Sequence, residues 1–440
     1  MTARRVVHLG LGNFHRAHQC WWTGAVAGRE DAEQWSVTAF TGRRPDAAEL
    51  LRAQDCRYTL VERSDRGDHY TLVTAMTGAY DGADLDALRS AMSDPHTGIV
   101  TLTVTEAGYH LGAGGVLDLD RPAVAADRAA LTAPDGGCGP ATAPGRLLLG
   151  LRERLHADAG PLAVVPCDNV TGNGQVLRRA LLTLSASLPG TEYARLTEWI
   201  ESSVTFVDTS VDRITPRTTE ADRAAVRDAT GFADRAPVVT EPFRDWVLAG
   251  DFPAGRPAWE RAGARFVTTL APWERRKLWL LNGAHSLLAY TGIAAGHRTV
   301  AQAIADPRLA ELTRCWWDEV EPLLDGAAGD VAGYRRDLMS RFGNTAIAHQ
   351  LTQIAEDGLH KLRLRVAEPA LLRRRAGLSA EVAARIVAAW IDFTRTPGAR
   401  LGAAPPGTGR DTAAQVAVLS PALADDRAFV DAVRHHRRHR

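Results

Sequence analysis

The sequence predicts an α/β protein in two domains: a mostly parallel sheet with helices on both faces, followed by a mostly helical domain. Three observations predict it. The chain has 440 residues, and single cores rarely grow past about 250–300 residues. Over the first half, apolar strand-like runs alternate with helix-like stretches, the pattern of parallel strands joined by helical crossovers. From about Pro257 onward, few β-branched runs remain and helical periodicity takes over. The domains are expected at 1–262 and 263–440.

The elements follow in order. RRVVHLG (4–10) is a short β-branched run ending in glycine and reads as a strand. NFHRAHQCWWTGAVAG (13–28) reads as one helix, WSVTAF (35–40) as a second strand and PDAAELLRAQ (45–54) as a helix opened by proline. Tyr58–Glu62 and Tyr70–Met76 alternate as strands, in the manner of a hairpin. Asp84–Met92 is helical and GIVTLTVT (98–105) a buried strand. Residues 111–145 are rich in Gly, Ala, Asp and Pro and read as loop and short helix. Arg146–Ala157 is helical, and PLAVVPCDN (161–169) is a strand ending in polar residues. Beyond the boundary, Trp273–Ala295, Val300–Ala305, Leu309–Leu324, Val331–Arg341, Thr345–Asp357, Ala380–Thr396 and Asp411–Gln415 read as helices. The tail VRHHRRHR (433–440) reads as the frayed end of a surface helix.

Composition narrows the function classes. Formal net charge is zero and 45% of residues are hydrophobic, so no global field favours nucleic acid or an anionic membrane. No apolar run reaches the length of a membrane span. Cys20, Cys56, Cys138, Cys167 and Cys315 are odd in number and unpaired in spacing, as expected of reduced thiols in a cytoplasmic protein. Lys277 and Lys361 are the only lysines among 52 Lys+Arg, which leaves 50 arginines. Lysine can shift its pKa when buried, whereas arginine stays charged. A surviving lysine is therefore expected where arginine chemistry fails. Asparagine is also scarce, and its five copies fall at Asn13, Asn169, Asn173, Asn282 and Asn344.

Gly10-Leu11-Gly12-Asn13-Phe14-His15 follows the first strand and opens a helix. Two glycines allow a tight turn and close approach of the backbone to a pyrophosphate at a helix N-terminus. The third glycine of the usual fingerprint is replaced by His15, and a plain turn gives the same GxG. The second strand ends in Thr41-Gly42-Arg43-Arg44-Pro45-Asp46. An acid is usual there for the ribose of NAD, whereas Arg43 and Arg44 suit a 2′-phosphate. NAD or NADP is the expected cofactor, with the choice open.

Chemistry concentrates in Glu274-Arg-Arg-Lys277-Leu-Trp-Leu-Leu-Asn282-Gly-Ala-His285. At α-helical spacing Glu274, Lys277 and His285 fall within roughly 80° of each other. A lysine in apolar surroundings can serve as a base near neutral pH, and an asparagine amide can stabilise an alkoxide. An amphipathic helix with a snorkelling lysine is the plainer reading. Asn169 ends the PLAVVP strand, where ligands of parallel sheets bind; an Asx turn has the same composition. Two further clusters, around Asp212 and from Gln353 to Lys361, read equally as solvated turn and helix end. His15-x-x-His18 could bind a metal in principle, but no third ligand is evident and no metal is expected.

These pieces together resemble the polyol-specific long-chain dehydrogenases, the family of mannitol 2-dehydrogenase and fructuronate reductase (mannonate oxidoreductase). The resemblance runs through HLGLGNFHRAH (8–18), AQDCRYTL (53–60), TLTVTEAGY (101–109), CDNVTGNG (167–174), VDRITPRTT (211–219), EPFRDWVLAGDFPAGRPAWE (241–260), KLWLLNGAHS (277–286) and IAEDGLHK (354–361). It implies an N-terminal Rossmann domain, a helical C-terminal domain and metal-independent hydride transfer between a nicotinamide and a secondary alcohol or ketone. By resemblance Lys277 is the general acid/base, Asn169 and Asn282 the oxyanion pair, His285 the substrate-orienting residue and Glu274 a proton relay. Asp212 and Lys361 match substrate contacts. Gly10, Gly12, Asn13 and Phe14 match the cofactor loop, and Glu106 lies near the nicotinamide. Gln353 stands where mannitol-active members carry arginine, and Trp279 where arginine is usual. The implied partners are small polyols, ketoses or sugar acids, with a neutral polyol (mannitol/fructose or arabinitol/xylulose) ahead of mannonate/fructuronate. The family is often monomeric, and nothing in the sequence contradicts that. A zinc alcohol dehydrogenase or hydrolase, and a nucleotide-binding sensor without catalysis, are the alternatives.

Overall fold

The computed structural model describes residues 3–27, 33–112, 114–133, 139–324, 326–395 and 411–438; Cys138 and the last two residues of the basic tail lie outside them. The chain divides into two compact units, residues 1–270 and 271–440.

Among the described residues twelve strands lie in the first unit: β1 (Arg4–Leu9), β2 (Trp35–Phe40), β3 (Tyr58–Ser64), β4 (Gly67–Val73), β5 (Met76–Tyr80), β6 (Thr97–Leu102), β7 (Leu162–Pro166), β8 (Val204–Phe206), β9 (Asp208–Asp212), β10 (Val238–Thr240), β11 (Asp245–Ala249) and β12 (Arg265–Phe266). Six form one sheet in the order β5-β2-β1-β6-β7-β8, every neighbouring pair parallel. This is the doubly wound order whose direction reverses between β1 and β6, where a crevice opens at the strands' carboxyl ends.

β6 and β7 are buried along their whole length, which explains why they read as uninterrupted apolar runs. Alternate residues feed opposite faces. Val6, Val37, Ile99 and Val165 join one core cluster, while Val7, Leu9, Val100, Leu102 and Val164 join the other. Two smaller sheets, β10-β3-β4 and β12-β11-β9, complete the unit.

Three sequence expectations change. Tyr70–Met76 is not one strand: β4 stops at Val73 as the antiparallel partner of β3, and Met76 opens β5 in the main sheet opposite Val37. The chain must turn between them to leave one sheet for the other. The first helix is two, Asn13–Ala17 and Gln19–Val26, broken at His18 (φ −118, ψ −99). The buried His18 ring packs among Phe14, Trp22 and Trp246, with centroids 5.0, 4.5 and 5.3 Å away. Thr345–Asp357 is helical only over Leu351–Ala355. Residues 345–347 instead form a turn and bend, after which Gln350 bridges Thr299 and Val300 N–H donates to His349 O.

The second unit is helical. A continuous helical run covers Ala271–Arg276, Lys277–Asn282 and Gly283–Ala294. Its last segment is buried from Gly283 to Gly292 and packs against Pro307–Val320, Leu351–Ala355 and Glu381–Phe393. A second run, Gly358–Leu362, Arg363–Ala367 and Glu368–Arg375, was hidden by its arginine content. The basic tail forms an ordered helix, Arg427–Arg438, packed on Glu381–Phe393. Among the described residues no helix is long and apolar enough to cross a membrane.

Candidate active site

The glycine loop sits at the crevice between β1 and β6. Gly10 has φ +106, and a side chain there would collide with the Thr103 carbonyl oxygen, so only glycine is accommodated. Gly12 is different. Its φ is −144, and an added Cβ would meet only the Gly10 oxygen at 3.7 Å. Internal packing does not require glycine at 12; an open cradle for a group approaching from outside does. Gly42, just past β2, has equally open space. The cradle therefore fits a dinucleotide.

The floor of the loop is polar and buried. His8 Nδ1 lies 2.8 Å from Thr101 Oγ1 and its Nε2 3.0 Å from Thr103 Oγ1. Thr103 Oγ1 donates to Gly10 O at 2.8 Å. With that proton committed, Thr103 accepts from Nε2–H, and Thr101 donates to Nδ1. Burial pushes the His8 imidazole down to about 3. Asn13, expected to face the cofactor, accepts through Oδ1 from Arg16 at 2.7 Å. Phe14 is half-buried and stacks on His18. His15 stacks on His8, and His18 Nε2 lies 3.2 Å from Asp245 O. Among the described residues no three His, Cys, Asp or Glu side chains gather as a metal site.

The ends of β6 and β7 are tied together. Tyr109, in the turn Glu106–Tyr109, donates to the buried Asp168 carboxylate. Asp168 also accepts from Val170 N–H at 2.9 Å. Burial raises the Asp168 pKa, opposed by these bonds. Asn173 is fully buried and structural: its amide donates to Pro166 O and Thr209 O at 3.2 Å, and its oxygen accepts from Thr209 N–H at 2.9 Å. Asn169 stands between these anchors and is exposed, as is Glu106. Asp212 is half-buried at the end of β9, opposite Asp245.

At the end of β2, Thr41 Oγ1 donates to Asp81 at 3.3 Å and accepts from Gly82 N–H at 2.9 Å. Exposed Arg44 pairs with Asp46 at 2.7 Å. Arg43 is exposed and close enough to His110 to depress its pKa, after burial and Arg121.

In the second unit the lysine motif departs from α-helical geometry. Lys277–Asn282 is a π-helical turn, with Gly283 N–H bonded to Leu278 O, an i→i+5 bond. The α-spacing that put Glu274, Lys277 and His285 on one stripe does not hold across it, because the turn carries an extra residue. Instead Lys277 and Asn282 stand one wide turn apart. Glu274, Lys277 and Asn282 are half-buried, and His285 is buried. The His285 ring lies 4.9 Å from Phe342 and 5.0 Å from His349. Burial, then His349, Arg341 and Arg365, hold it well below its ordinary pKa, so it is a neutral ring with one donor and one acceptor.

Residues that the sequence reading missed support this turn. Trp316 donates its indole N–H to Trp279 O at 2.8 Å, and Trp317 to Leu280 O at 2.9 Å. Their only sequence signal was an adjacent tryptophan pair in an apolar helix. Trp279 itself is buried. Gln353 is exposed. Lys361 Nζ donates to Ile354 O at 3.2 Å and Glu356 O at 2.5 Å, bracing the turn where Asp357 is left-handed (φ 54).

Two family models match the chain: the mannitol dehydrogenase Rossmann domain over residues 4–261 and the mannitol dehydrogenase C-terminal domain over 269–401. The chain is 35% identical to D-mannonate oxidoreductase of Escherichia coli K12 over 401 residues, 89% of this chain and 80% of that one. Among solved structures it resembles a substrate-free D-sorbitol dehydrogenase, with TM-score 0.87 and 29% identity over 98% of this chain and 92% of that one. It also resembles Pseudomonas fluorescens mannitol 2-dehydrogenase in ternary complex with NAD and D-mannitol, with TM-score 0.78 and 32% identity over 99% and 91%.

Proposed function

The chain belongs to the mannitol dehydrogenase family, and from that premise we propose that it is a nicotinamide-dependent oxidoreductase of polyols, interconverting a secondary alcohol and its ketone without a metal. Residues 1–262 hold NAD or NADP on Gly10, Gly12, Asn13 and Phe14, with Arg43 and Glu106 flanking. A bound nicotinamide would supply the hydride acceptor or donor. Residues 263–440 supply the acid/base chemistry.

The observation that carries the reading is Lys277, one of two lysines in the chain, half-buried at the head of a π turn that ends in Asn282. π turns inside α-helices recur at functional sites. In oxidation the neutral Lys277 amine takes the hydroxyl proton; in reduction its ammonium form returns one to the alkoxide. Asn282 and Asn169 donate amide N–H groups to that oxygen. Neutral His285 orients the substrate by a hydrogen bond, and Glu274 passes the lysine's proton onward. Asp212, Lys361 and Gln353 contact the remaining substrate oxygens. The described cysteines are free thiols, which suits a cytoplasmic enzyme.

A neutral polyol such as mannitol or arabinitol is the leading substrate, since the uncharged Gln353 offers no fork for a carboxylate. One observation favours a sugar acid such as mannonate instead: Arg341, Arg365 and His349 all lie close enough to His285 to depress its pKa, and a cationic surround favours a carboxylate.

An initial-rate screen tests both readings. It runs NAD and NADP against mannitol, arabinitol, sorbitol, xylitol and mannonate, and in reverse against fructose, xylulose and fructuronate, with Lys277→Ala as the blank. Turnover of a polyol that Lys277→Ala abolishes supports the leading reading; turnover of mannonate or fructuronate alone replaces it with the second. Nicotinamide binding without turnover of any of these overturns both and favours a sensor.

A further inference from the structure

The turn that bears Lys277 is wider than a helix favours, and its upkeep is visible. Gly283 N–H reaches back five residues to Leu278 O. Two carbonyls inside the turn, those of Trp279 and Leu280, also receive a donor from outside their own helix. A buried carbonyl without a donor costs on the order of 1–3 kcal/mol. That cost would drive the helix back to regular α geometry unless a donor were brought from elsewhere.

The donor comes from the helix Pro307–Val320. Trp316 and Trp317 are both buried. Each lies 37 residues from the carbonyl it serves: Trp316 that of Trp279, and Trp317 the neighbouring Leu280. Adjacent residues on one helix thus serve adjacent carbonyls on another. Gly283 completes the fit, since a Cβ there would meet Trp316 Nε1 at 2.7 Å and two indole carbons at 2.8 and 2.9 Å. The Trp317 ring also lies 6.3 Å from Phe342, which packs against His285.

We propose that Trp316 and Trp317 are positioning residues for Lys277, their indole N–H groups holding open the π turn that sets the lysine one wide turn from Asn282. The inference rests on the reading of Lys277 as acid/base. Without the indole donors the turn relaxes toward α spacing, Asn282 rotates relative to Lys277, and the environment of the lysine amine changes. Asp212, Gln353 and Lys361, which the proposed function assigns to the remaining substrate oxygens, lie outside the turn and stay in place.

The chain offers an unusually clean test, because an amine-reactive reagent has only Lys277, Lys361 and the N-terminal amine to label. Labelling of the full chain as a function of pH, read by peptide mass spectrometry, gives the midpoint of Lys277 with Lys361 as internal reference. Trp316→Phe and Trp317→Phe keep an apolar ring and remove the donor. Each is expected to move the Lys277 midpoint by about half a pH unit or more, with Lys361 unmoved. Each is also expected to lower kcat roughly tenfold, with KM little changed. An unmoved Lys277 midpoint in both folded variants overturns the proposal, whatever the rates do. Should a Phe variant not fold, Gly283→Ala displaces the Trp316 indole by a methyl group and is read the same way. Lys277→Ala is assayed alongside. If it retains turnover, the acid/base reading fails; if it is inactive and the tryptophan variants label as wild type, only this inference fails.

Discussion

His8 and His15 lie face to face, their ring centroids 3.3 Å apart and their planes within 10° of parallel. His8 is on β1 and His15 on the first short helix, so the stack clamps the glycine loop between them from beneath. Two imidazolium ions could not share that space. Burial drives His8 down to about 3; burial first, then the His8 charge, drive His15 well below its ordinary value.

Acid should therefore loosen the fold before the carboxylates titrate. Both histidines are neutral in the folded chain and titrate near 6.5 when unfolded, so the unfolded state binds more protons below that pH. Their contribution is complete above about pH 6.5 and is lost as pH falls below it, for His8 down to about 3, at about 1.4 kcal/mol per pH unit for each histidine. Urea midpoints at pH 7, 6 and 5 check this. The midpoint should fall steadily, and His15→Gln should flatten the slope; equal slopes would show that the stack does not carry the effect.

The two glycines of the loop should separate fold from binding. Gly10→Ala forces a methyl group against the Thr103 carbonyl at φ +106, at a cost of about 1–3 kcal/mol in strain, and should lower both stability and nucleotide affinity. Gly12→Ala meets nothing closer than 3.7 Å in the chain itself, so its thermal midpoint should stay near wild type while nicotinamide affinity falls tenfold or more (roughly). Differential scanning fluorimetry with and without NAD or NADP reads both quantities together.

Replacing Lys277 by arginine should be as damaging as replacing it by alanine. Arginine keeps the charge and the reach but cannot give up its proton. Loss of a general acid/base typically costs 10²–10⁴-fold, roughly, in kcat. Substantial activity in Lys277→Arg, measured in the initial-rate assay, would mean that the group supplies charge and not proton transfer.

What the sequence revealed and what it hid divide along one line. The parallel sheet was legible because buried strands carry their own signal in consecutive apolar residues, as in IVTL of β6 and AVVP of β7. The glycine loop was legible because its glycines answer to local geometry. The π turn was not, since KLWLLNGAH has the composition of an ordinary α-helix. What permits its extra residue is a pair of indoles 37 residues away. The His18 ring, at the helix break, likewise packs on Trp246, far off in sequence. Asn173 and Asn169 look equivalent in CDNVTGNG, yet one is a buried brace and the other exposed; only the position of β9 distinguishes them.

The second lysine motif should prove structural as well as functional. Gly358 lies under the Tyr290 hydroxyl and 3.0 Å from Trp390 Nε1 as measured from an added Cβ. Gly358→Ala is therefore expected to cost about 1–3 kcal/mol by overpacking. Lys361→Met removes the bonds to Ile354 and Glu356 carbonyls and should cost about 1–2 kcal/mol. Chemical denaturation of both variants checks this, and stability at wild-type level in Lys361→Met would leave substrate contact as its only role.

Cofactor choice should turn on Arg43. Arg44, the other candidate, is held by Asp46 at 2.7 Å, although an ion pair this exposed is weak. Arg43 has no hydrogen bond or ion pair among the described residues and stands beyond β2 next to Gly42, where space is open. The end of β2 is where the ribose of a dinucleotide is read, and an arginine there favours a 2′-phosphate. Charge-assisted bonds to such a group contribute about 1.5–3 kcal/mol, equivalent to roughly tenfold to a hundredfold in affinity. Arg43→Ala should raise the KM for NADP by that factor and leave the KM for NAD nearly unchanged, and the same change in Arg44 should do less. Because screening by salt weakens only the charged contact, wild-type affinity for NADP relative to NAD should also fall between low and high ionic strength, and that dependence should vanish in Arg43→Ala. Equal NADP kinetics in wild type and Arg43→Ala would instead give the cofactor choice to Asp81, which Thr41 holds at the end of the neighbouring strand.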